Sequence, residues 1–448
     1  MTVANRRESL ILFIGDLVIF VATLWLTLFI RYADVPTVAV FVDHLLPFSI
    51  LFFVWFGVFF ISGLYEKHTS LFRRRLPIAV FTAQMVNAII AVLFFYLIPY
   101  FGIAPKTNLL LYIVLSFPLV LLWRNYAPAI VGVGKKSNAI LIGLGPEMRE
   151  LRDEVNTNSR YRFRFVSSID LQDIDGINIE DDVVKVVYEE EVSAIAIDLR
   201  SDAVEPMLPH LYNLIFSKVR FIDANRLYED IFDRVPVSLL KYNWFLENIS
   251  LSPHSTYDAV KRMMDIVVAS IVGVVSLLIY PIVYVLIKLD DGGPLFIMQE
   301  RVGKNCKLIR TYKFRSMSRN EVDLNASEKN VVTKVGALLR KTRLDELPQL
   351  WSVVRGDLSL IGPRPELPSG VHLYEQTIPY YNIRHLIKPG LSGWAQLYHD
   401  NHPHHGVDVD ETKVKLSYDL YYIKNRSLVL DVIIALKTLK ELALRKGR

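Results

Sequence analysis

The stretch KRMMDIVVASIVGVVSLLIYPIVYVLIKLDDGGP, residues Lys261–Pro294, decides where the rest of the chain can lie. From Ile266 to Ile287 it carries no charge, and that length is enough for a helix to cross a hydrocarbon core about 30 Å thick. Pro281 interrupts the run, and a proline lacks the N–H of the helical ladder and bends the helix. Lys261 and Arg262 precede the apolar run, and Lys288, Asp290 and Asp291 follow it. Arg301, Lys304, Lys307, Arg310, Lys313 and Arg315 come close behind. A crossing would carry all of these cations to the outer side, against the positive-inside bias. A helix kinked at Pro281, over about residues 261–289, that dips into the bilayer and returns to the same face satisfies both the proline and the charges. An ordinary fifth span is the alternative that hydropathy alone offers.

Upstream, four apolar segments run roughly Leu10–Ile30, Leu45–Tyr65, Leu76–Phe101 and Leu109–Val133. Each has the length of a membrane span. Arg6 and Arg7 precede the first, Lys67, Arg73, Arg74 and Arg75 separate the second from the third, and Arg124, Lys135 and Lys136 close the fourth. The other two loops carry little positive charge beyond Arg31 and Lys106, so both ends of the bundle are expected in the cytoplasm. Asp16 lies inside the first span, where an acid is a functional candidate by default. A helix–helix hydrogen bond, or snorkelling toward the nearby end, is the plainer reading.

Composition agrees with a membrane protein. Of 448 residues, 52% are hydrophobic and clustered in blocks, and mean hydropathy is +0.29. The net charge of +5 suits an anionic membrane face or phosphate substrates and is too dispersed to argue for nucleic acid. Cys306 is the single cysteine, so no intrachain disulfide forms and a reducing, cytosol-facing location fits. The N-terminus does not read as a removable signal peptide.

Between the spans and the kinked segment lies an α/β region. SNAILIGLGPEMRELRDEV (137–155) reads as a buried strand, a glycine turn and a helix, and VSAIAIDLR (192–200) and KVRFIDA (218–224) read as later strands. Such alternation implies a parallel sheet. Gly143 and Gly145 begin a dinucleotide fingerprint, but Met148 replaces its third small residue and Asp170 is the nearest offer of a ribose-binding acid. A Rossmann-like structural or regulatory module with an empty or altered pocket is expected.

After the kinked segment, PLFIMQERVGKNCKLIRTYKFRSM (294–317) alternates around a Gly303-Lys304-Asn305 turn, as a hairpin does. Its cations are either a solvated strand face or groups that hold a lipid or nucleotide phosphate at the interface. RLDELPQLWSVVRGDLSLIGPRP (343–365) follows. Pro348 favours a first helical turn, which puts Asp345 and Glu346 at a helix threshold. Arg340, Lys341 and Arg343 lie just upstream, and Arg364 is fixed between Pro363 and Pro365 as a fork for phosphate oxygens. Adjacent carboxylates can share a Mg²⁺ with substrate phosphates. One of them can attack phosphorus while the other binds metal or accepts a proton. Taken alone the pair would merely complement a helix dipole; its basic surroundings argue otherwise.

IKPGLSGWAQL (387–397) offers Trp394 either as a stacking surface for a base or as a core ring. His399, His402, His404 and His405 with Asp400 form a loop that reads as solvated rather than metal-binding. SLVLDVIIALKTLKELALRKGR (427–448) is an amphipathic helix with a basic end.

From Lys261 to about Lys440 the chain resembles the bacterial sugar transferase family, the monotopic polyprenyl-phosphate phosphoglycosyl transferases. The resemblance rests on KRMMDIVVA, IKLDDGGPLFIMQERVGKN, TYKFRSM, RLDELPQLWSVVRGDLSLIGPRPE, KPGLSGWAQ and YDLYYIKNRSLVLDV, in that order. The four spans and Rossmann-like insert resemble the large, exopolysaccharide-initiating subfamily. The resemblance implies ping-pong transfer of a sugar-1-phosphate from a UDP-sugar to undecaprenyl phosphate, with release of UMP. It makes Asp345 the nucleophile and Glu346 its partner, both at the required Mg²⁺. It assigns Lys313, Arg315, Arg340, Arg364, Arg384 and Gln396 to substrate binding, and Pro281 to a re-entrant membrane helix. The histidine-rich loop after Gln396 departs from the family's usual continuation and leaves the sugar open.

The expected architecture is therefore a four-span bundle (1–134), a Rossmann-like domain (135–255) and an α+β catalytic domain (256–448) in the bacterial inner membrane, with the soluble parts cytoplasmic. Membrane lipid, downstream glycosyltransferases and a second copy of the chain are the expected partners. One rival is a membrane-anchored nucleotide sensor or scaffold with an inactive transferase region. Another is a multispanning glycosyltransferase that releases UDP.

Overall fold

The computed structural model describes residues 6–65, 76–97, 106–130, 136–158, 161, 163–171, 180–199, 201–217, 219–249, 255–318, 332–398 and 408–443. The chain divides into two compact units, Met1–Ile231 and Phe232–Arg448.

The first unit opens with four apolar helices: α1 (Arg6–Tyr32), α2 (Val38–Ile61), α3 (Leu76–Leu97) and α4 (Lys106–Ile130). Each contains a stretch long and apolar enough to cross a membrane. Phe20, Phe48, Phe52, Trp55 and Tyr112 interlock in the bundle core. Asp16 is fully buried there, accepts a 2.7 Å hydrogen bond from the Tyr65 hydroxyl and pairs with the Arg124 guanidinium of α4. It therefore serves as a helix–helix tie, as the plainer reading had it. Lys67, Arg73, Arg74, Arg75 and Lys135, which carried much of the orientation argument, lie outside the described residues.

Next come β1 (Ser137–Gly143), α5 (Gly145–Thr157), β2 (Phe163–Asp170), α6 (Val186–Glu189), β3 (Val192–Ile197), α7 (Leu208–Asn213), β4 (Arg220–Asp223) and α8 (Ala224–Phe232). The four strands form a parallel sheet in the order β2-β1-β3-β4. Ile140–Ile142 and Ile195–Ile197 are buried without alternation, as strands covered on both faces require. The glycine turn shows why the fingerprint is altered. Met148 is buried against Gly143, its Cγ only 2.6 Å from where a Cβ would sit. The carboxylate of Asp170 is engaged by Arg149 at 3.0 Å.

In the second unit, α9 (Tyr242–Asn248) brings Trp244 and Phe245, with Val235 and Leu240, into a core shared with Val302, Tyr374, Leu416 and Leu420. Residues 232–249 thus pack with the catalytic region, and the dividing line falls after Ile231 rather than at 255.

The opening stretch forms α10 (Ser255–Ser276) and α11 (Tyr280–Asp290), bent by 55° across the break between them. Pro281 stands in the first turn of α11, where its missing N–H costs nothing. Both arms rest on the same unit. On α10, Arg262 donates to the carbonyls of Val353 and Val354 at 2.7 and 2.8 Å, and Asp265 accepts from the Leu360 N–H at 3.1 Å. On α11, Val283 and Ile287 pack on Phe314 and Leu339. Val267, Ile271, Val275, Leu278, Ile282 and Val285 are exposed.

An antiparallel hairpin follows, β5 (Phe296–Val302) and β6 (Leu308–Phe314), turning at the expected residues. The remaining elements are α12 (Lys334–Lys341), α13 (Leu350–Arg355), β7 (Ser359–Ile361), α14 (Pro368–Thr377), β8 (Gly390–Ser392), α15 (Trp394–Tyr398), α16 (Val409–Lys424) and α17 (Leu428–Ala443). β7 and β8 pair in parallel, and their backbones meet so closely at Gly362 and Gly390 that a Cβ on Gly390 would lie 2.1 Å from the Gly362 nitrogen. That approach needs two glycines, and it pins Gly-Pro-Arg-Pro in place: the Gly390 N–H donates to the Pro363 carbonyl at 2.9 Å. Trp394 is buried, stacks on Tyr421 and donates to the Asp233 carbonyl at 2.8 Å, so it is a core ring. The loop of His399, Asp400, His402, His404 and His405 lies outside the described residues.

Candidate active site

Asp345 and Glu346 sit in a 3₁₀ helix, Leu344–Gln349, that runs directly into α13. The sequence placed them at the threshold of an α-helix starting at Pro348; instead Pro348 lies inside the 3₁₀ turn and the α-helix begins at Leu350. Arg343 opens this turn in the left-handed region at φ 52°, which only a few per cent of non-glycine residues adopt. The strained residue reverses the chain out of α12 and sets the two acids on the face where β6 and the Gly-Pro-Arg-Pro segment arrive. No sequence signal marked Arg343 for this backbone role.

The two carboxylates are treated differently. Glu346 is clamped: Arg364 Nη2 donates to its Oε1 at 2.9 Å, and Lys313 Nζ lies 3.4 Å from the same oxygen. Burial works against its charge, but Arg364 and Lys313 hold its carboxyl well below the usual range. Asp345 is 8% exposed, and its side chain makes no hydrogen bond or ion pair among the described residues. Burial first, and then the charge of Glu346, push its carboxyl up to about 6, while Lys313, Arg340 and Arg364 pull the other way. The site thus holds one committed carboxylate, one uncommitted carboxyl and three cations. An uncommitted carboxylate beside fixed positive charge is what phosphoryl chemistry asks of a nucleophile.

The other cations divide. Arg340, at the end of α12, supplies charge to this cluster. Arg315 does not join the acids, because its Nε pairs with Asp291 at 2.7 Å and its Nη2 donates to the Ser318 carbonyl. Arg384, expected to bind substrate, is 3% exposed, and both of its terminal nitrogens are engaged, while its Nε is buried without a hydrogen-bond partner among the described residues. It pairs with Asp419 at 2.8 Å and Glu366 at 3.3 Å, donates to the Tyr381 hydroxyl at 2.7 Å, and donates to the Arg364 carbonyl at 3.0 Å. Lys415 also pairs with Glu366. Arg384 therefore supports the backbone of Arg364 from behind. Glu366, Lys415 and Asp419 are the members that sequence reasoning missed. Gln396 on α15 buries its side-chain oxygen without a hydrogen-bond partner among the described residues. Pro281 is at the helix break, as expected.

Mg²⁺ takes oxygen ligands and is commonly held by one or two carboxylates plus substrate phosphates. The uncommitted oxygens of Asp345 fit that donor chemistry.

The sequence profile described as "Bacterial sugar transferase" matches residues 256–445. The chain is 40% identical over 174 residues to the "Exopolysaccharide production protein PSS" of Rhizobium leguminosarum bv. phaseoli, covering 37% of this chain and 86% of that one. It is 45% identical over 195 residues to the "UDP-N-acetylgalactosamine-undecaprenyl-phosphate N-acetylgalactosaminephosphotransferase" of Aeromonas hydrophila, covering 43% of this chain and 45% of that protein. A longer match, 29% identical over 320 residues, reaches the "Undecaprenyl-phosphate glucose phosphotransferase" of Komagataeibacter xylinus, covering 67% of this chain and 58% of that one. The chain thus matches about half the length of these last two relatives. It belongs to the bacterial sugar transferase family.

Proposed function

We propose that the chain transfers a sugar-1-phosphate from a UDP-sugar to undecaprenyl phosphate, releasing UMP, as the first step of exopolysaccharide assembly. The observation that carries this reading is the asymmetry of the acids: Glu346 is clamped by Lys313 and Arg364, and Asp345 is buried beside them and uncommitted. An oxygen of the Asp345 carboxylate bonds to the phosphorus that bears the sugar, and the bond from that phosphorus to the oxygen of UMP breaks. A phosphate oxygen of the lipid then attacks the same phosphorus and returns Asp345 to its carboxylate form. Lys313, Arg340 and Arg364 neutralise the charge that develops on the phosphoryl oxygens. Asp345 would hold Mg²⁺, which would supply positive charge against the donor's phosphates. Glu346 holds Arg364 and Lys313 in register.

We place the protein in the bacterial inner membrane with the catalytic unit on the cytoplasmic side and the α10–α11 pair dipping into the inner leaflet. The seating of both arms on the catalytic unit and the exposed apolar faces between them support that placement. Product analysis tests the reaction: with UDP-sugar, undecaprenyl phosphate and Mg²⁺, UMP should accumulate one for one with lipid-linked sugar. UDP as the product would overturn the reading.

The raised Asp345 carboxyl gives the pH dependence a sign. The nucleophile must be ionised, so kcat/KM should fall on the acid side with a limb near pH 6. Glu346→Gln removes the charge that raises Asp345 and releases Lys313 and Arg364 to lower it, so the limb should move to lower pH while kcat at pH 8 drops. A limb that stays in place or moves upward would show that Asp345 is not the titrating group.

A further inference from the structure

Away from the acids, the turn of the β5–β6 hairpin meets α14 and the 3₁₀ segment Tyr381–Leu386. Three donors of different elements converge there. Cys306, from the turn, is the protein's single cysteine; Glu375 comes from α14 and His385 from the 3₁₀ segment. Their ligand atoms all lie within 4.8 Å of one another, and Cys306 Sγ is 3.9 Å from Glu375 Oε1. Bonds of about 2.0–2.3 Å at tetrahedral angles set donor–donor edges of roughly 3.3–3.6 Å, so sub-ångström side-chain shifts close the set.

His385 supplies an independent pointer. It is 6% exposed, and its Nε2 is buried with no hydrogen-bond partner among the described residues. Buried imidazole nitrogens are normally satisfied, and an orphan one asks for a ligand or a proton partner. Arg384 lies beside the ring. Arg384 itself is neutralised by Asp419 and Glu366, so the ion would not face an unpaired cation. Cys306 and Glu375 are both exposed, which leaves the site open to solvent.

We propose that Cys306, Glu375 and His385 bind a thiophilic divalent cation of the Zn²⁺ class, with water in the fourth position. Thiolate and imidazole select against Mg²⁺, so this site is chemically separate from the one at Asp345. On binding, the Cys306 thiol gives its proton to solvent and its sulfur bonds to the metal. The ion joins the hairpin turn to α14 and to the segment that carries Arg384.

The test uses tag-free full-length protein in detergent, titrated with Zn²⁺ alone against a chelating dye, and with Co²⁺ as a spectroscopic probe. One tight Zn²⁺ per chain is expected, together with a thiolate-to-Co²⁺ charge-transfer band and a rise of Tm with Zn²⁺ but not with Mg²⁺. Cys306→Ser should abolish the band and weaken Zn²⁺ binding on the order of tenfold or more, and Glu375→Gln should weaken it while keeping the band. Both residues are exposed, so neither variant threatens folding. The proposal is overturned if wild-type protein binds no Zn²⁺ tightly, or if binding and Tm shift survive Cys306→Ser unchanged. Both readouts, metal binding and Tm, are taken without substrate, so failure here leaves the reading of transfer at Asp345 standing.

Discussion

Asp345→Asn should abolish transfer and at the same time make the catalytic unit more stable above pH 6. Removing a covalent nucleophile costs roughly 10,000-fold or more in turnover. The stability gain follows from linkage. The Asp345 carboxyl stands at about 6 in the fold against an ordinary value of 3.8. Below about pH 4 it is protonated in both the folded and unfolded chain, and the fold carries no penalty. As pH rises through 6 the folded protein must ionise a buried group next to Glu346, losing up to about 3 kcal/mol, at 1.36 kcal/mol for each unit. Asparagine has no charge to bury. Its Tm in detergent should therefore exceed that of the wild type at pH 8, and the difference should vanish toward pH 4. An inactive variant with unchanged or lower stability at pH 8 would mean that Asp345 is held by partners other than those described.

The second large effect concerns Arg384. A substrate-binding arginine would be truncated with a rise in KM and little change in stability. The structure instead buries Arg384 between Asp419, Glu366 and Tyr381, with one hydrogen bond under the Arg364 backbone. Removing one partner of such a cluster leaves uncompensated buried charge and costs about 3–5 kcal/mol. Arg384→Ala should therefore express poorly or melt far below the wild type. Arg384→Lys, which keeps the charge but loses the fork, should recover part of the Tm and still transfer slowly, because Arg364 is less firmly placed. A fully stable Arg384→Ala protein with a raised KM for UDP-sugar would restore the substrate-contact reading.

What the sequence disclosed follows from what its signals measure. Unbroken apolar runs such as Ile140–Ile142 and Ile195–Ile197 report burial on two faces, so the parallel sheet was legible. Pro281 reports a local break in the ladder, and the 55° bend sits there. Arg364 has a backbone restricted by the prolines on either side, and it meets Glu346. Flexible cations carry no such constraint. Arg315 and Arg384 read alike in sequence with Arg364, yet they turn to Asp291 and Asp419, partners 24 and 35 residues away. Nor does a residue's identity announce a left-handed backbone: Arg343 has one because the 3₁₀ turn after α12 imposes it. Residues 232–249 belonged to no motif, and only their packing against Tyr374 and Leu420 assigns them to the catalytic unit.

The most direct measurement is a mass spectrum of the protein after brief incubation with a UDP-sugar and Mg²⁺ in the absence of lipid acceptor. A hexose-phosphate adduct on the peptide that contains Asp345, discharged when undecaprenyl phosphate is added, is the predicted result, and the adduct's mass would identify the sugar. Continued release of UMP in the presence of lipid with no such adduct at any time, or an adduct on another residue, would contradict it.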